Sequence, residues 1–502
     1  MPRSRPARSP ERSFRTAALW TFLQGWVGAA VQFATGIVMA RLLAPADFGV
    51  FAAVTAYTAL LLRQAQFGIP ESLIRTRSPD GHALSAAFWW MEAFAGLAAA
   101  VAAGLAVALA PLYDDGRFVA VMLAVSATFF LMPFSATAGA WLRHQMRYRE
   151  IARVSVILSL SGAAIGVAAA AAGAGVWSFV VAAWVNGTLG AWLYLRVSGW
   201  RPGRPRLRWV DIAPLVGYGW KMHLNNMLDL ASRRVDRMLL GALAGSHALG
   251  VFNRAAQSGR MPVAEIAGRL YQAMFSALSR AQESGAAQAG MLNRKMLFAL
   301  AGATYPALLL LWFAAEPFVV GLYGEPWREA VEPMRWIILG GFASVVSVGL
   351  GALSDTRGLA GRESLLQAVG LALAAAAVAV GLRWGLAGVA AAMAGRAWLM
   401  LGGLLTLVHR WSGCVRAADV VHAVAPPAVA AAVGYGAGAA WLGGGASGWT
   451  VQAAAGGVSV LCYGVALTAL LLVWAGHPGR AVLRVAVGGL GRRAGAVARI
   501  AG

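Results

Sequence analysis

Two stretches of this chain read almost alike: Leu42-Leu43-Ala44-Pro45-Ala46-Asp47-Phe48-Gly49-Val50-Phe51 and Ala242-Leu243-Ala244-Gly245-Ser246-His247-Ala248-Leu249-Gly250-Val251-Phe252. The second carries one extra residue. Each is a short break between two apolar runs, the first after residues 17–40 and the second after residues 212–232. A further pair, Gly175-Val176-Trp177 and Gly385-Leu386-Ala387, keeps the same order and opens the last helix of each six-helix set. Chance likeness among Ala/Gly/Leu-rich helices is the competing reading, but two matches in consistent register point to an internal duplication. The duplication divides the chain into a lobe at 17–211, a lobe at 212–410 and a further helix pair at 411–475. Basic tails lie at 1–16 and 476–502.

Composition sets the solvent. Of 502 residues, 59% are hydrophobic and 12% are charged, whereas a soluble domain carries about 25% charged residues. A bilayer core roughly 30 Å thick takes about 20 apolar residues per helix. About fourteen segments meet that requirement, from 17–40 at the start to 449–475 at the end. The segment at 246–276 is the weakest, because it holds Arg254, Arg260, Glu265 and Arg269. The fold class expected is therefore an all-α membrane protein of about fourteen transmembrane helices, in two six-helix pseudo-repeat lobes plus a C-terminal pair. The Arg-rich start before residue 17 reads as the flank of a retained first helix, since no small-residue cleavage site follows.

Charge placement tests the topology independently. With the N-terminus inside, 27 Lys and Arg fall in cytoplasmic segments, eight in outer ones and seven within helices. Cationic loops stay on the cytoplasmic side, so an even helix count with both ends inside satisfies the rule. The location expected is the inner, cytoplasmic membrane, crossed many times. The same excess, 42 Lys+Arg over 20 Asp+Glu, would suggest nucleic acid in a soluble protein. Its concentration in short loops argues against a nucleic-acid partner and for membrane lipid. Two cysteines, Cys414 and Cys462, build neither a disulfide framework nor a metal site, and no cofactor motif is visible. Gly488-Gly489-Leu490-Gly491 follows no strand and makes no nucleotide loop.

Ionisable groups inside a span cost about 2.5–3.5 kcal/mol each on insertion scales, so they face a cavity or a partner. On helix seven, Lys221, Asn225 and Asp229 recur every four residues and cover about 80° of the helix. They line a cavity or form an internal salt-bridge ladder. On helix eight, Arg254, Ser258, Glu265 and Arg269 fall within about 60° of an ideal helix, with Arg260 off that face. Pro262 kinks the helix and makes the alignment approximate. Glu265 and Arg269 also stand at pairing distance. Helix one gathers Thr21, Gln24, Gly28, Gln32 and Thr35 within about 80°. Arg63 either joins the cavity or snorkels to inner headgroups. Glu92 and Arg396 are solitary charges inside helices three and twelve, each a relay, a cavity residue or half of a pair. The substrate-contact candidates are thus Lys221, Asn225, Asp229, Arg254, Glu265, Arg269, Arg63, Arg396, Gln24 and Gln32.

Several junctions carry a family resemblance. They are Arg41-Leu42-Leu43-Ala44-Pro45-Ala46-Asp47-Phe48-Gly49, Phe67-Gly68-Ile69-Pro70, Leu142-Arg143-His144-Gln145-Met146-Arg147-Tyr148-Arg149, and Asp236-Arg237-Met238-Leu239-Leu240-Gly241 with Leu249-Gly250-Val251-Phe252. Ser276-Ala277-Leu278-Ser279-Arg280, Leu322-Tyr323-Gly324-Glu325-Pro326-Trp327 and Gly361-Arg362-Glu363 continue the series. In order and spacing over residues 15–410 they resemble the oligosaccharide, O-antigen and exopolysaccharide flippases of the multidrug/oligosaccharidyl-lipid/polysaccharide exporter superfamily. The resemblance implies a transporter rather than an enzyme, working by alternating access. It implies a polyprenyl-diphosphate-linked oligosaccharide as cargo, moved from the cytoplasmic to the outer leaflet. A polysaccharide polymerase or export protein is a further partner on this reading, and proton or sodium a candidate coupling ion. A drug or small-solute antiporter of the same superfamily is the first alternative, and it needs acidic residues to dominate the site. A membrane glycosyltransferase or polymerase is the second, and it needs a larger outer segment than residues 319–332 provide.

Overall fold

The computed structural model describes residues 10–76, 79–205, 207–208, 213, 230–231, 234–413, 415–443 and 448–473. Helices account for nearly all of them. The first unit contains α1 (Pro10–Leu42), α2 (Pro45–Gln66), α3 (Ile69–Arg75), α4 (Gly81–Leu109), α5 (Arg117–Ser126), α6 (Met132–His144), α7 (Tyr148–Ala171) and α8 (Trp177–Ser198). Helix α9 (Val235–Gly259) follows, then a π-turn at Val263–Ala267, α10 (Gly268–Glu283), α11 (Ala286–Phe313) and α12 (Ala315–Tyr323). The last five are α13 (Val331–Thr356), α14 (Ala360–Gly381), α15 (Gly385–Trp411), α16 (Ala417–Gly443) and α17 (Trp449–Val473). Among the described residues eleven stretches are long and apolar enough to cross a membrane, and the 51-residue stretch Gly361–Trp411 holds two helices, α14 and α15, each of spanning length. The charged segment at 246–276 is helical but is not among them.

The chain packs as two compact units, Met1–Gly250 and Val251–Gly502. Residues 235–250, which the repeat numbering assigns to the second lobe, pack with the first unit. Its core gathers Ile69, Leu73, Leu84, Phe88, Met91 and Trp200, with Phe88 edge-on to Phe134 at 4.8 Å. Elsewhere close approach relies on small residues, as helices in lipid require. Asn186 of α8 fills the space where a side chain on Gly162 of α7 would stand. In the second unit Gly340 of α13 lies against Ala394 of α15.

Each unit carries a similar backbone feature and a similar hydrogen bond at the positions that the sequence repeat aligns. Gly175 (φ +56) and Gly385 (φ +70) both take left-handed conformations before the last helix of their set, a region glycine enters without penalty. Tyr113, after α4, meets the Tyr57 hydroxyl at 3.1 Å, and Tyr323, ending α12, meets the Ser258 hydroxyl at 3.0 Å. Positions 57 and 258 fall at the same distance from Gly49 and Gly250, so the two bonds are counterparts. Gly245 (φ 81, ψ 175) breaks α9 where the second repeat begins its next helix.

The terminal pair α16–α17 is bound to α11 and α12 within the second unit at three levels. Arg294 pairs with Asp419 at 2.9 Å, Gln452 donates to Glu316 at 2.7 Å, and the Tyr463 hydroxyl donates to the Gly302 carbonyl at 3.2 Å. The last bond has a covalent cause. Pro306 has no N–H, so the carbonyl four residues earlier lacks its helical donor, and in lipid no water replaces it.

Replacing Tyr463 by Phe is therefore expected to destabilise the purified protein by about 0.6–1.7 kcal/mol, the range for interhelical bonds in membranes. The cost should shrink in a Pro306→Ala background, which restores the N–H donor. Thermal melts of the four variants in one detergent check this coupling.

Candidate functional site

The helix-seven candidates Lys221, Asn225 and Asp229 lie outside the described residues. The others fall on different supports. On α1, Gln24 is half-buried and Gln32 exposed. Arg63 reaches across the end of α2, donating to Gln66 at 3.0 Å and pairing with Glu71 of α3 at 3.2 Å. Arg396 of α15 donates from Nε to the Gly370 carbonyl of α14 at 2.8 Å. It sits where Asn186 sits in the first repeat, and each side chain lies against a glycine of the preceding helix. Both therefore join neighbouring helices within their own unit. Glu92 of α4 keeps one carboxylate oxygen buried with no hydrogen-bond partner among the described residues.

Helix eight departs from the ideal-helix reading, and the reason is local. The shared face expected for Arg254, Ser258, Glu265 and Arg269 requires an unbroken α-helix. Pro262 is followed by the π-turn Val263–Ala267, which inserts an extra residue per turn and rotates everything after it. The two halves consequently make separate sites. Glu265, inside the π-turn, pairs with Arg269 just after it at 2.5 Å, each about a third exposed. Before it, Arg254 is only 5% exposed. Its guanidinium lies over the rings of Tyr323 at 4.8 Å and Trp327 at 5.4 Å. Such stacking is worth about 2 kcal/mol once desolvated. Arg254 also donates to Gln257 at 3.1 Å, while Ser258, one turn on, bonds the Tyr323 hydroxyl.

The exposed polar groups on this stretch are Gln257 and Arg260, and the sequence reading assigned neither to the site. Arg260 follows Ser246 by fourteen residues, about 20 Å along an α-helix, which is less than the thickness of a bilayer core. Arg254 thus holds Gln257 from behind, and Arg260 stands one turn further along the open face. The aromatic support was legible only as the motif Leu322–Trp327, because no periodicity connects it to Arg254. Among the described residues no group of three His, Cys, Asp or Glu side chains is placed to hold a metal ion.

At the opposite end of the same helix the groups are ionic. Arg117 pairs with Asp115 at 2.7 Å and with buried Asp47 at 2.6 Å, and the Ser246 hydroxyl reaches Asp115 at 3.5 Å. The hydrogen bond from Arg117, with the burial of the group opposing it, holds the Asp115 carboxyl below the usual carboxylate range. Glu316 is also lowered, first by Gln452 and then by Arg328.

Comparison with known proteins places the chain among polysaccharide-related membrane proteins. A family model described as "Polysaccharide biosynthesis protein" matches residues 38–332. The Escherichia coli K12 "Lipopolysaccharide biosynthesis protein WzxC" is 20% identical over 320 residues, covering 63% of this chain and 64% of that one. The Rhizobium meliloti "Succinoglycan biosynthesis transport protein ExoT" is 22% identical, covering 64% of each. An uncharacterized membrane protein in the cps region of Klebsiella pneumoniae is 19% identical over 66% of this chain and 69% of its own length. The matches thus span about two thirds of these relatives. Among solved structures, the lipid II flippase MurJ in an inward closed conformation superposes with a TM-score of 0.68 at 13% identity, over 91% of this chain and 99% of that one. An inward-facing multidrug MATE transporter gives 0.61 at 15% identity over 77% and 95%. At such identities the likeness is one of fold.

Asp115 provides a pH test. A lowered carboxyl stabilises the fold above its unfolded value, about pH 4, and loses that contribution as pH falls through the lowered one. The melting-temperature gap between the wild type and Asp115→Asn should be widest near neutrality and close below about pH 4. A gap independent of pH would contradict the assignment.

Proposed function

The chain belongs to the polysaccharide biosynthesis protein family, whose model matches residues 38–332, and on that footing we propose that it is a flippase. Its cargo is a polyprenyl-diphosphate-linked oligosaccharide, carried from the cytoplasmic to the outer leaflet of the inner membrane for surface or exopolysaccharide synthesis. Both termini are cytoplasmic. The observation that carries the reading is Arg260, exposed with Gln257 at the end of α9, six residues beyond buried Arg254. Hydrocarbon does not accommodate an exposed guanidinium. A water-filled path does, and there a fixed cation attracts the diphosphate that lipid repels.

The relatives named above support the cargo class, since their names tie them to lipopolysaccharide and succinoglycan synthesis. Guanidinium and amide groups together suit a diphosphate joined to a sugar: the first takes phosphate oxygens by paired N–H donors, the second takes hydroxyls. Lys221, Asn225 and Asp229 extend the same set along helix seven on this proposal. Transport also needs release, so the site holds cargo through a few exposed groups rather than a closed cage. Proton or sodium drives the cycle, and a polymerase consumes the product on the outer side.

Deleting the gene should abolish surface polysaccharide and cause lipid-linked oligosaccharide to accumulate at the inner leaflet. Returning the chain with Arg260→Ala should restore less than about a tenth of wild-type export, a loss of about 1.4 kcal/mol or more, at unchanged protein level in the membrane. Arg260→Lys should retain more, because it keeps the charge. Normal polymer from the alanine variant would refute the site, and normal polymer from the deletion strain would refute the function.

A further inference from the structure

The second unit carries an open apolar groove that the transport reading does not use. It has a volume of about 400 Å³ and lies between α13 and the α14–α15 turn. Trp336 of α13 forms one wall, and Val380 with Trp384 forms the other. The floor is the first two turns of α15, where Gly388, Ala391 and Ala392 stand. Two close approaches bound it. At the turn, a Cβ on Gly381 would stand 2.6 Å from the Val389 Cα, and one on Gly388 would stand 2.3 Å from the Gly381 carbonyl oxygen. Further along, a Cβ on Gly340 of α13 would stand 3.1 Å from the Ala394 Cα. The groove occupies the stretch of α15 between these contacts.

The rim of the groove is apolar with one cation. Trp384 is 69% and Val380 49% exposed. Arg383, beside Trp384, is exposed as well, and among the described residues no hydrogen bond or ion pair holds its guanidinium. Arg335, next to Trp336, is instead committed to Glu332 at 3.7 Å. The sequence repeat indicates that the fold does not demand these side chains. Counterparts lie 210 residues apart, as for Gly175 and Gly385 or Tyr113 and Tyr323. On that register the first half has Ser126 for Trp336, Gly173 for Arg383, Ala174 for Trp384 and Val181 for Ala391. Both indole walls, the cation and the small floor therefore belong to the second half alone.

We propose that this groove binds a membrane phospholipid of net negative charge, with one acyl chain along α15 and the phosphate on Arg383. Tryptophan marks the depth where headgroups meet hydrocarbon, and a guanidinium there takes phosphate oxygens by paired N–H donors. From Trp384 to Ala392 the helix runs about 12 Å below that level, which supports the upper part of a chain. Glycine and alanine admit the chain as closely as they admit a neighbouring helix. One arginine answers the single charge of a phosphodiester, whereas a diphosphate carries more charge than one cation neutralises. The occupant is thus a lipid of the surrounding bilayer rather than transported cargo.

The test uses the full chain in phosphatidylcholine vesicles doped with a lipid that bears a photoactivatable diazirine on one acyl chain. One probe is a phosphatidylglycerol and the other a phosphatidylcholine with identical chains. Adducts are mapped on peptides after irradiation and normalised to those at Leu461 and Val465, each 71% exposed. Labelling around Trp336 and residues 384–392 should be about fivefold greater from the glycerol probe, the factor that one Arg contributes near a membrane surface. Arg383→Ala should remove the preference, and Ala391→Phe should remove groove adducts from both probes. Both variants should keep the wild-type yield at Leu461 and Val465, which reports a folded, inserted chain. Equal groove labelling by the two probes would overturn the proposal, as would a preference that Arg383→Ala leaves intact. Displacement of groove adducts by polyprenyl diphosphate, but not by unlabelled phosphatidylglycerol, would overturn it too and assign the groove to cargo. Export is not read at any step, so failure here leaves the transport reading standing.

Discussion

Hydrocarbon offers no hydrogen bonds, and this absence organises the molecule. Every carbonyl, amide and charge within a span has to find a partner in the chain or in enclosed water. The Gly302 carbonyl, deprived of its donor by Pro306, obtains one from Tyr463 on another helix. Arg396 places its Nε–H on the Gly370 carbonyl, and Arg254 is covered by the Tyr323 and Trp327 rings. These bonds give the packing its direction, because apolar contacts between helices in lipid have no water to exclude. Gln257 and Arg260 are exposed on the same stretch that buries Arg254.

Positions that the sequence repeat aligns carry different side chains in the two halves. In each half a tyrosine bonds an earlier helix, Tyr113 to Tyr57 of α2 in one and Tyr323 to Ser258 of α9 in the other. Four residues before Ser258 the second half carries Arg254, where the first half has Ala53. Position 186 holds an amide and its counterpart 396 a guanidinium, each against a glycine. The cationic members fall in the second half in both cases, which sets its interior chemistry apart without altering the backbone.

The all-helical membrane fold was legible in the sequence because bilayer thickness imposes a similar length on each spanning helix. The helices at 45–66, 148–171 and 177–198 follow from apolar run length alone. Less was legible where local chemistry interrupts that rule. The segment 117–144 is divided into α5 and α6, and residues 69–75 form a separate short helix after the left-handed pair Phe67 and Gly68. The site was read less well for a related reason. Arg254 was assigned to an open face on an ideal helix, but its burial beneath Tyr323 and Trp327, 69 and 73 positions further along, depends on tertiary contact. The π-turn after Pro262 moved Glu265 and Arg269 to another side, where they neutralise each other. Arg260, set aside because it lay off that ideal face, is exposed.

Water beside Arg260 is the premise on which the transport reading stands, and it is open to direct measurement. Single variants Arg254→Cys, Gln257→Cys and Arg260→Cys, made in the chain with both native cysteines replaced by alanine, can be treated in membranes with a charged thiol reagent that does not dissolve in lipid. Thiols at 257 and 260 should react readily and the thiol at 254 slowly, because it lies beneath Tyr323 and Trp327. Inert thiols at both 257 and 260, with reaction intact at a loop control, would mean that this face meets acyl chains or sealed protein.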